Sequence, residues 1–225
     1  MKSIYSIVFF FGIILTGCSH PEGVIELKGT VCDEKTKAAI PNRQIIVHSI
    51  VKNDIKFTSG YAGEFSTDSS GNFSYSLRKA KDVWLYDFCI VGDSSYAYSS
   101  NRLGLTELKS YGKFLSFNMS KLADLTIKFE KKNKTLIYDT LYVSWSSNGV
   151  EGDLLYPYKI DNYGNCQNVG FRWIGGEVNS GIKTKAYAGK KTTITWTLFR
   201  DGKLKEITDS IFCKRDGSNN VSFIY

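Results

Sequence analysis

Five cysteines, two histidines and 22 acidic residues are the chain's stock of groups able to attack a substrate, carry a proton or hold a metal. Thiol or hydroxyl catalysis needs a base within hydrogen-bond reach of the nucleophile, and only His20 and His48 are available for that role. His20 stands two residues after Cys18. His48 sits between Val47 and Ser49 in an apolar stretch, where a structural or exposed histidine is the simpler reading. No Gly-x-Ser-x-Gly elbow supports a Ser–His arrangement. The absence of Cys-x-x-Cys and the shortage of histidine argue against zinc. No glycine-rich loop precedes a helix in the manner of a phosphate cradle. The acids fall mostly in turn-like segments and read as surface charge, although glycosidase carboxylates come from distant positions and leave no motif. These residues point to a protein that is not an enzyme and uses neither cofactor nor metal.

Four cysteines follow Cys18: Cys32, Cys89, Cys166 and Cys213. They are candidates for disulfides, paired Cys32–Cys89 and Cys166–Cys213 if each bridge stays within one half of the chain. The alternative is four buried thiols acting as small apolar residues. Strand parity speaks against the first bridge, because Cys32 shares its face with Glu26, Lys28 and Thr30 rather than with Ile25, Leu27 and Val31, unless a bulge intervenes. The aromatics supply a second chemistry, since their faces stack on sugars and partner proteins. Trp145 and Trp196 alternate with polar residues among aliphatics and read as core. Trp84 and Tyr86, on one face of the run Val83–Val91, and Trp173, before the pair Gly175-Gly176, are the candidate ligand aromatics. Asp139-Thr140-Leu141 and Asp209-Ser210-Ile211 match a short Asp-(Ser/Thr)-apolar pattern used in bacterial O-glycosylation. Thr140 and Ser210 are therefore candidate acceptors, although the same residues suit the entry turn of a strand.

The elements that must position these groups begin with a leader. Lys2 precedes an apolar run, Ile4 to Leu15, broken only by Ser6 and Gly12, the layout of an export signal. A spanning helix needs roughly 20 apolar residues, so the run is too short. Leu15-Thr16-Gly17-Cys18 then resembles the lipobox of bacterial lipoproteins. That resemblance implies cleavage after residue 17, lipidation of Cys18 with acyl chains such as palmitate, and attachment to a lipid bilayer. Ser19 after the cysteine, where aspartate would favour the inner membrane, points to the outer membrane and leaves its periplasmic and external faces open. Losing residues 1–17 removes Lys2 and no acid, taking the net charge from +7 to +6. The remaining lysines are scattered, and the densest group, Lys131, Lys132 and Lys134, reads as a solvated turn. An exported protein of this charge pattern is not expected to bind nucleic acid.

Aromatics are abundant, prolines number 3, and no long stretch carries a 3.6-residue apolar period, so strands are expected throughout. Between residues 24 and 119 alternating segments are separated by Asp33-Glu34-Lys35-Thr36, Ile40-Pro41-Asn42 and Asp68-Ser69-Ser70-Gly71. Gly29-Thr30-Val31, Asp33-x-x-Thr36, Ile40-Pro41 and Thr67-Asp68-x-x-Gly71-x-Phe73 together resemble the carboxypeptidase regulatory-like domains. The resemblance spans about residues 24–100 and implies a small prealbumin-like β-sandwich that is an accessory, non-catalytic module. It departs from the family where Lys79 to Asp82 replace the usual small-Gly-x-Tyr. Beyond Lys121, Leu125/Ile127/Phe129, Leu141/Val143/Trp145 and Ile194/Trp196/Leu198 alternate with polar residues. Asp201-Gly202, between Phe199 and Leu204, is the strongest hairpin signal. This half reads as a second, immunoglobulin-like sandwich.

The expected organisation is an all-β chain: signal peptide 1–17, lipidated tether 18–23, and tandem sandwiches over 24–120 and 121–225. The expected role is a membrane-anchored binding or assembly module of the cell envelope, with an envelope protein or a glycan as partner. A carbohydrate-binding or carbohydrate-active protein of a nutrient-uptake system is the alternative.

Overall fold

Turn chemistry decides where the first strand stops. In the computed structural model, which describes residues 23–53, 56–79, 81–110, 114–134, 136, 138–163 and 166–225, Asp33 ends the strand by folding its carboxylate onto the next turn. Its Oδ1 accepts hydrogen bonds from the backbone N–H groups of Lys35 and Thr36 at 2.9 and 2.8 Å. Asp68 does the same for Ser70 and Asn72, and Gly71 completes that turn at φ 78°. A side chain at Gly71 would strike Ala39 and the Ile40 backbone. The expected leader, residues 1–17, and Cys18 lie outside the described residues.

The first half runs β1 (Val24–Asp33), β2 (Gln44–Asn53), β3 (Lys56–Ser66), β4 (Asn72–Arg78), β5 (Val83–Ile90), β6 (Ser99–Gly104), α1 (Leu105–Ser110) and β7 (Leu115–Met119). One sheet has the order β4-β1-β7, with β7 parallel to β1, and the other has the order β3-β2-β5-β6. Their inner faces share one core of Leu27, Val31, Ile45, Val47, Phe73, Leu77, Phe88, Ile90, Phe117 and their neighbours. Phe117 joins the sheets: its ring stacks on Phe73 at 5.6 Å and meets Phe88 at 5.4 Å. Gly29 is required for this packing, since a Cβ there would run into the Leu115 carbonyl and the Phe73 ring.

The second half runs β8 (Leu122–Glu130), β9 (Thr140–Ser147), β10 (Val150–Glu151), α2 (Gly152–Leu155), β11 (Lys159–Tyr163), β12 (Gln167–Val169), β13 (Arg172–Ile174), β14 (Asn179–Tyr187), β15 (Lys191–Arg200), β16 (Lys203–Phe212) and β17 (Asn219–Ile224). Its sheets have the orders β12-β13-β9-β15-β16, with β10 also on β9, and β11-β14-β8-β17, with β17 parallel to β8. Leu125, Ile127, Phe129, Leu141, Val143, Ile194 and Trp196 fill the space between them. Asp201 and Gly202 both have positive φ, at 48° and 72°, and close a two-residue hairpin with Arg200 opposite Lys203. Aspartate and glycine suit that turn because each tolerates the left-handed region. The protein is thus nearly all β, built as two sandwiches whose cores share no residue.

The cysteines do not form the candidate bridges; all four are free thiols. Cys32 lies on the outer side of β1, its Sγ 3.3 Å from Asn118 Oδ1 and 3.7 Å from Ser116 Oγ. Cys89 lies on the outer side of the opposite sheet, level with Ile46 and Ser100. The whole core separates them. Cys213 contacts Thr192 at the start of β15. Cys166 lies near Tyr225 and the Asp139–Arg200 end of the same sheet. Eight residues of extended strand, about 26 Å, stand between those two ends.

Charged groups tie the halves together. Only Ser120 and Lys121 separate β7 from β8. Ser120 accepts the Ala97 N–H through its carbonyl, and Leu122 N–H donates to the Ser95 carbonyl. Lys121, the first residue of the second half, is held within that half by Asp216 at 2.9 Å. Arg215 pairs with Asp33, 182 positions away in sequence. Burial pushes the Asp33 carboxyl up, but the Thr36 N–H, the Arg215 guanidinium and the Lys35 N–H outweigh it and bring it down to about 2. A carboxyl held below its ordinary value stabilises the fold above pH 4 and loses that contribution as pH falls through 2. The shift corresponds to about 2 kcal/mol. Urea melts of the wild type and Asp33→Asn between pH 5 and pH 2 should converge by about that amount. A constant gap across the range would show that Asp33 carries no such linkage.

Candidate binding surfaces

The outer face of the β3-β2-β5-β6 sheet leaves Phe57, Tyr61 and Trp84 exposed. Ile45 and Val47 point inward, so Ile46, His48 and Ile50 point out, beside Leu85, Asp87 and Cys89 of β5. Tyr61, His48, Asp87 and Arg102 form one row across the four strands. Asp87 is nearly buried there, accepting from Ser100 Oγ at 2.6 Å and from Arg102 Nε at 3.3 Å. Burial raises the neighbouring Cys89 thiol above its ordinary value, which keeps it protonated at neutral pH.

Trp84 and Tyr86 were expected to share a face, and they do not. Val51 pairs with Val83 while Ile50 pairs with Leu85, so Trp84 is the extra residue of a β-bulge. A bulge inserts one residue and re-aims the side chains around it. Tyr86 is consequently fully buried in the core, whereas Trp84 is 52% exposed. Trp84 meets the equally exposed Phe57 at 5.3 Å between ring centroids, with Lys52 Nζ 6.0 Å from its ring. Trp173, the third candidate aromatic, is also fully buried. It lies opposite Leu141 and packs edge-on against Phe129 at 4.4 Å. Short as it is, β13 is a paired inner strand rather than a frayed end.

The candidate acceptor Thr140 is only 6% exposed, so the folded chain offers it no room for a glycan. Its neighbour Asp139 is committed to Arg200 and Lys131. Ser210 is exposed on β16. Lys131, expected in a solvated turn, is fully buried; its ammonium donates to the carbonyls of Gly175 and Leu136.

A second concavity opens where the ladder beside β9 is interrupted. β13 pairs with β9 as far as Tyr142, and β10 takes up the pairing only at Ser146. The gap forms a cleft of about 350 Å³ lined by Ser144, Trp145, Ser146, Glu151, Asp153, Phe171, Thr193 and Thr195. The serines and threonines face each other across β9 and β15, with Ser144 opposite Thr195 and Ser146 opposite Thr193. The Trp145 ring meets Phe171 edge-on at 5.1 Å and Tyr158 at 5.8 Å. Gly152 of α2 lies so close over the indole that a Cβ would overlap it. Trp145 is 5% exposed, yet its Nε1 has no hydrogen-bond partner. A buried donor left unmade costs about 1–3 kcal/mol. Sequence reading placed Trp145 in the core and Glu151-Gly152-Asp153 in a turn. Nothing in their spacing shows that a missing stretch of ladder brings them together.

No protein-family model matches the chain, and no curated protein does. Solved structures do resemble it. The shaft pilin SpaA of Lactobacillus rhamnosus GG aligns with 90% of this chain and 97% of its own, at 10% identity and a TM-score of 0.32. A streptococcal ancillary pilin aligns with 91% of this chain and 63% of its own, at 12% identity and a TM-score of 0.39.

Proposed function

We propose that the chain is an exported, lipid-anchored module of the cell envelope that binds or assembles with a partner rather than catalysing a reaction. In this reading Cys18 carries the acyl chains, the outer membrane is the destination, and the sandwiches divide between residues 120 and 121. The first half is a carboxypeptidase regulatory-like module, and Ser210 is the accessible glycan acceptor of the two. The observation that carries the binding role is the exposed pair Phe57–Trp84 on an outer sheet face. Large aromatics held outside a core are characteristic anchors of recognition surfaces. The buried acids support a non-catalytic reading because each already faces a cation: Asp33 with Arg215, Asp87 with Arg102, and Asp139 with Arg200 and Lys131. The buried thiols Cys89 and Cys213 are pushed up by burial and are poor nucleophiles at neutral pH.

The double substitution Phe57→Ala/Trp84→Ala tests the binding role. Both side chains are exposed, so stability should change by no more than about 0.5 kcal/mol for each. Retention of outer-membrane vesicles from a strain lacking the protein, on an immobilised layer of it, should fall at least about tenfold, or 1.4 kcal/mol. Undiminished retention by a well-folded double variant would remove the proposal's main support.

A further inference from the structure

We propose that the free edge of β16 pairs with the same edge of a second copy of the chain, antiparallel and centred on Ile207, to form a two-fold dimer. This contact goes beyond the binding role assigned to the Phe57–Trp84 face and involves neither that face nor the cleft. β3 and β16 are the longest strands at sheet edges. β3 carries a register shift opposite Val47 and His48, whereas β16 runs without one from Lys203 to Phe212. The two-residue turn at Asp201-Gly202 makes Arg200 and Lys203 a hydrogen-bonded pair. Such pairs recur at every second residue, so Lys203, Lys205, Ile207, Asp209 and Ile211 direct their backbone groups to β15. Leu204, Glu206, Thr208, Ser210 and Phe212 direct theirs outward, where no described strand meets them. The Ser210 N–H accordingly donates to Asp209 Oδ1 at 2.6 Å.

An unpaired edge of this length is a template for another strand, and its side chains select which one. With Ile207 opposite itself, Lys205 faces the partner's Asp209 and Asp209 faces the partner's Lys205. These are the positions where opposed side chains come closest. Within one chain the two charges are separated by Ile207 and about 13 Å of strand. Leu204 then meets the partner's Ser210, and Glu206 the partner's Thr208, each pair exchanging two backbone hydrogen bonds. The register also accounts for two exposed apolar side chains, Leu204 at 67% and Phe212 at 65%. On the outer face Phe212 becomes the diagonal neighbour of the partner's Leu204, within reach of an aromatic ring. Ile207, half-covered in a single chain, packs on its twin. Centring the pair on Lys205, Glu206 or Asp209 sets like charges against each other. Centring it on Thr208 opposes Lys205 to Ile211 and Asp209 to Ile207, leaving both charges without a counter-charge. Side chains stand out of the hydrogen-bonding plane, so a glycan on Ser210 leaves the edge open. Two-fold pairing consumes the β16 edge and closes the assembly at a dimer.

Cysteine cross-linking in cells that express the full chain reads this register directly. Residues opposed at a closest-approach position lie within the Cα separation that a disulfide spans, about 4.4–6.8 Å. Ile207→Cys should therefore give a covalent dimer under mild oxidation. Thr208→Cys, whose two copies fall more than about 7 Å apart, should give at least about tenfold less. Because Ile207 touches the core, Lys205→Cys/Asp209→Cys supplies a second reporter on exposed positions. That double variant should dimerise, and neither of its single variants should. In the Ile207→Cys background, Lys205→Asp should lower cross-linking about tenfold, or 1.4 kcal/mol. The exchange Lys205→Asp/Asp209→Lys should restore it. Absence of a dimer from both reporters would overturn the proposal. So would equal cross-linking through Thr208→Cys, or a charge exchange that restores nothing.

Discussion

Asp139→Ala is expected to cost the protein about 3–5 kcal/mol, because it strands a fully buried ammonium without its counter-charge. Lys131 has no solvent-exposed side-chain surface. Its Nζ lies 3.4 Å from Asp139 Oδ2 and donates to the Gly175 carbonyl at 2.8 Å. The same carboxylate oxygen accepts a hydrogen bond from Arg200 Nε at 2.8 Å, and the terminal nitrogen of that guanidinium lies within ion-pair distance at 2.6 Å. Removing the carboxylate therefore leaves two cations facing each other at the end of the β9–β15 ladder. Domains of this size are stable by only about 5–15 kcal/mol, so the loss should lower the urea midpoint severely. Lys131→Met alone should be much milder, since methionine can fill the channel and Asp139 keeps Arg200. The double variant Lys131→Met/Asp139→Ala should recover much of the deficit, because replacing a buried pair by apolar groups is often close to neutral. A loss under about 1 kcal/mol in Asp139→Ala would mean that the network is not the brace described.

Cys18→Ala should change location rather than stability. With the acyl chains in place the protein should sediment with membranes and take up a clickable fatty-acid analogue; without the cysteine it should do neither. Each buried CH₂ contributes about 0.8 kcal/mol, and a chain pair or triplet anchors stably where one chain binds only marginally and reversibly. A mutant that stays in the pellet and keeps the label would refute the reading of Leu15-Thr16-Gly17-Cys18. A mutant that stays in the pellet without the label would point to attachment through a protein partner.

The features legible in the sequence were those whose causes are local. Asp33, Asp68 with Gly71, and Asp201 with Gly202 form turns because of what their own side chains and φ angles allow, whatever surrounds them. The inward faces of β8, β9 and β15 were equally legible, because a regular strand buries every second residue. The features missed depend on a partner distant in sequence. The bulge at Trp84 exists only in relation to Ile50 and Val51, and it reversed the parity that had placed Trp84 beside Tyr86. Trp173 looked like a strand end because Gly175 and Gly176 follow so soon after it, while its burial comes from Leu141 and Phe129. Lys131 looked solvated among Lys132 and Lys134, and only the arrival of Asp139 and Gly175 explains its burial. The cleft beside β9 arises from an interruption between two pairings, which no local pattern encodes.

The parallel partners of β1 and β8 set an order of events for a chain that is synthesised from its N-terminus. β1 is flanked on one side by β4, but its other edge waits for β7, more than eighty residues later. Once Met119 has emerged, that sheet is complete, and the first sandwich can close while the second is still in transit. β8 waits longer. One of its edges is covered only by β17, so the second sandwich stays open until residues 219–224 have emerged. Pairings this distant form slowly, and an unpaired strand edge is prone to the wrong neighbour in the meantime. The second sandwich, which holds the cleft, is therefore the half exposed longest to proteases and chaperones during biogenesis. Deleting β17 would prolong that exposure indefinitely.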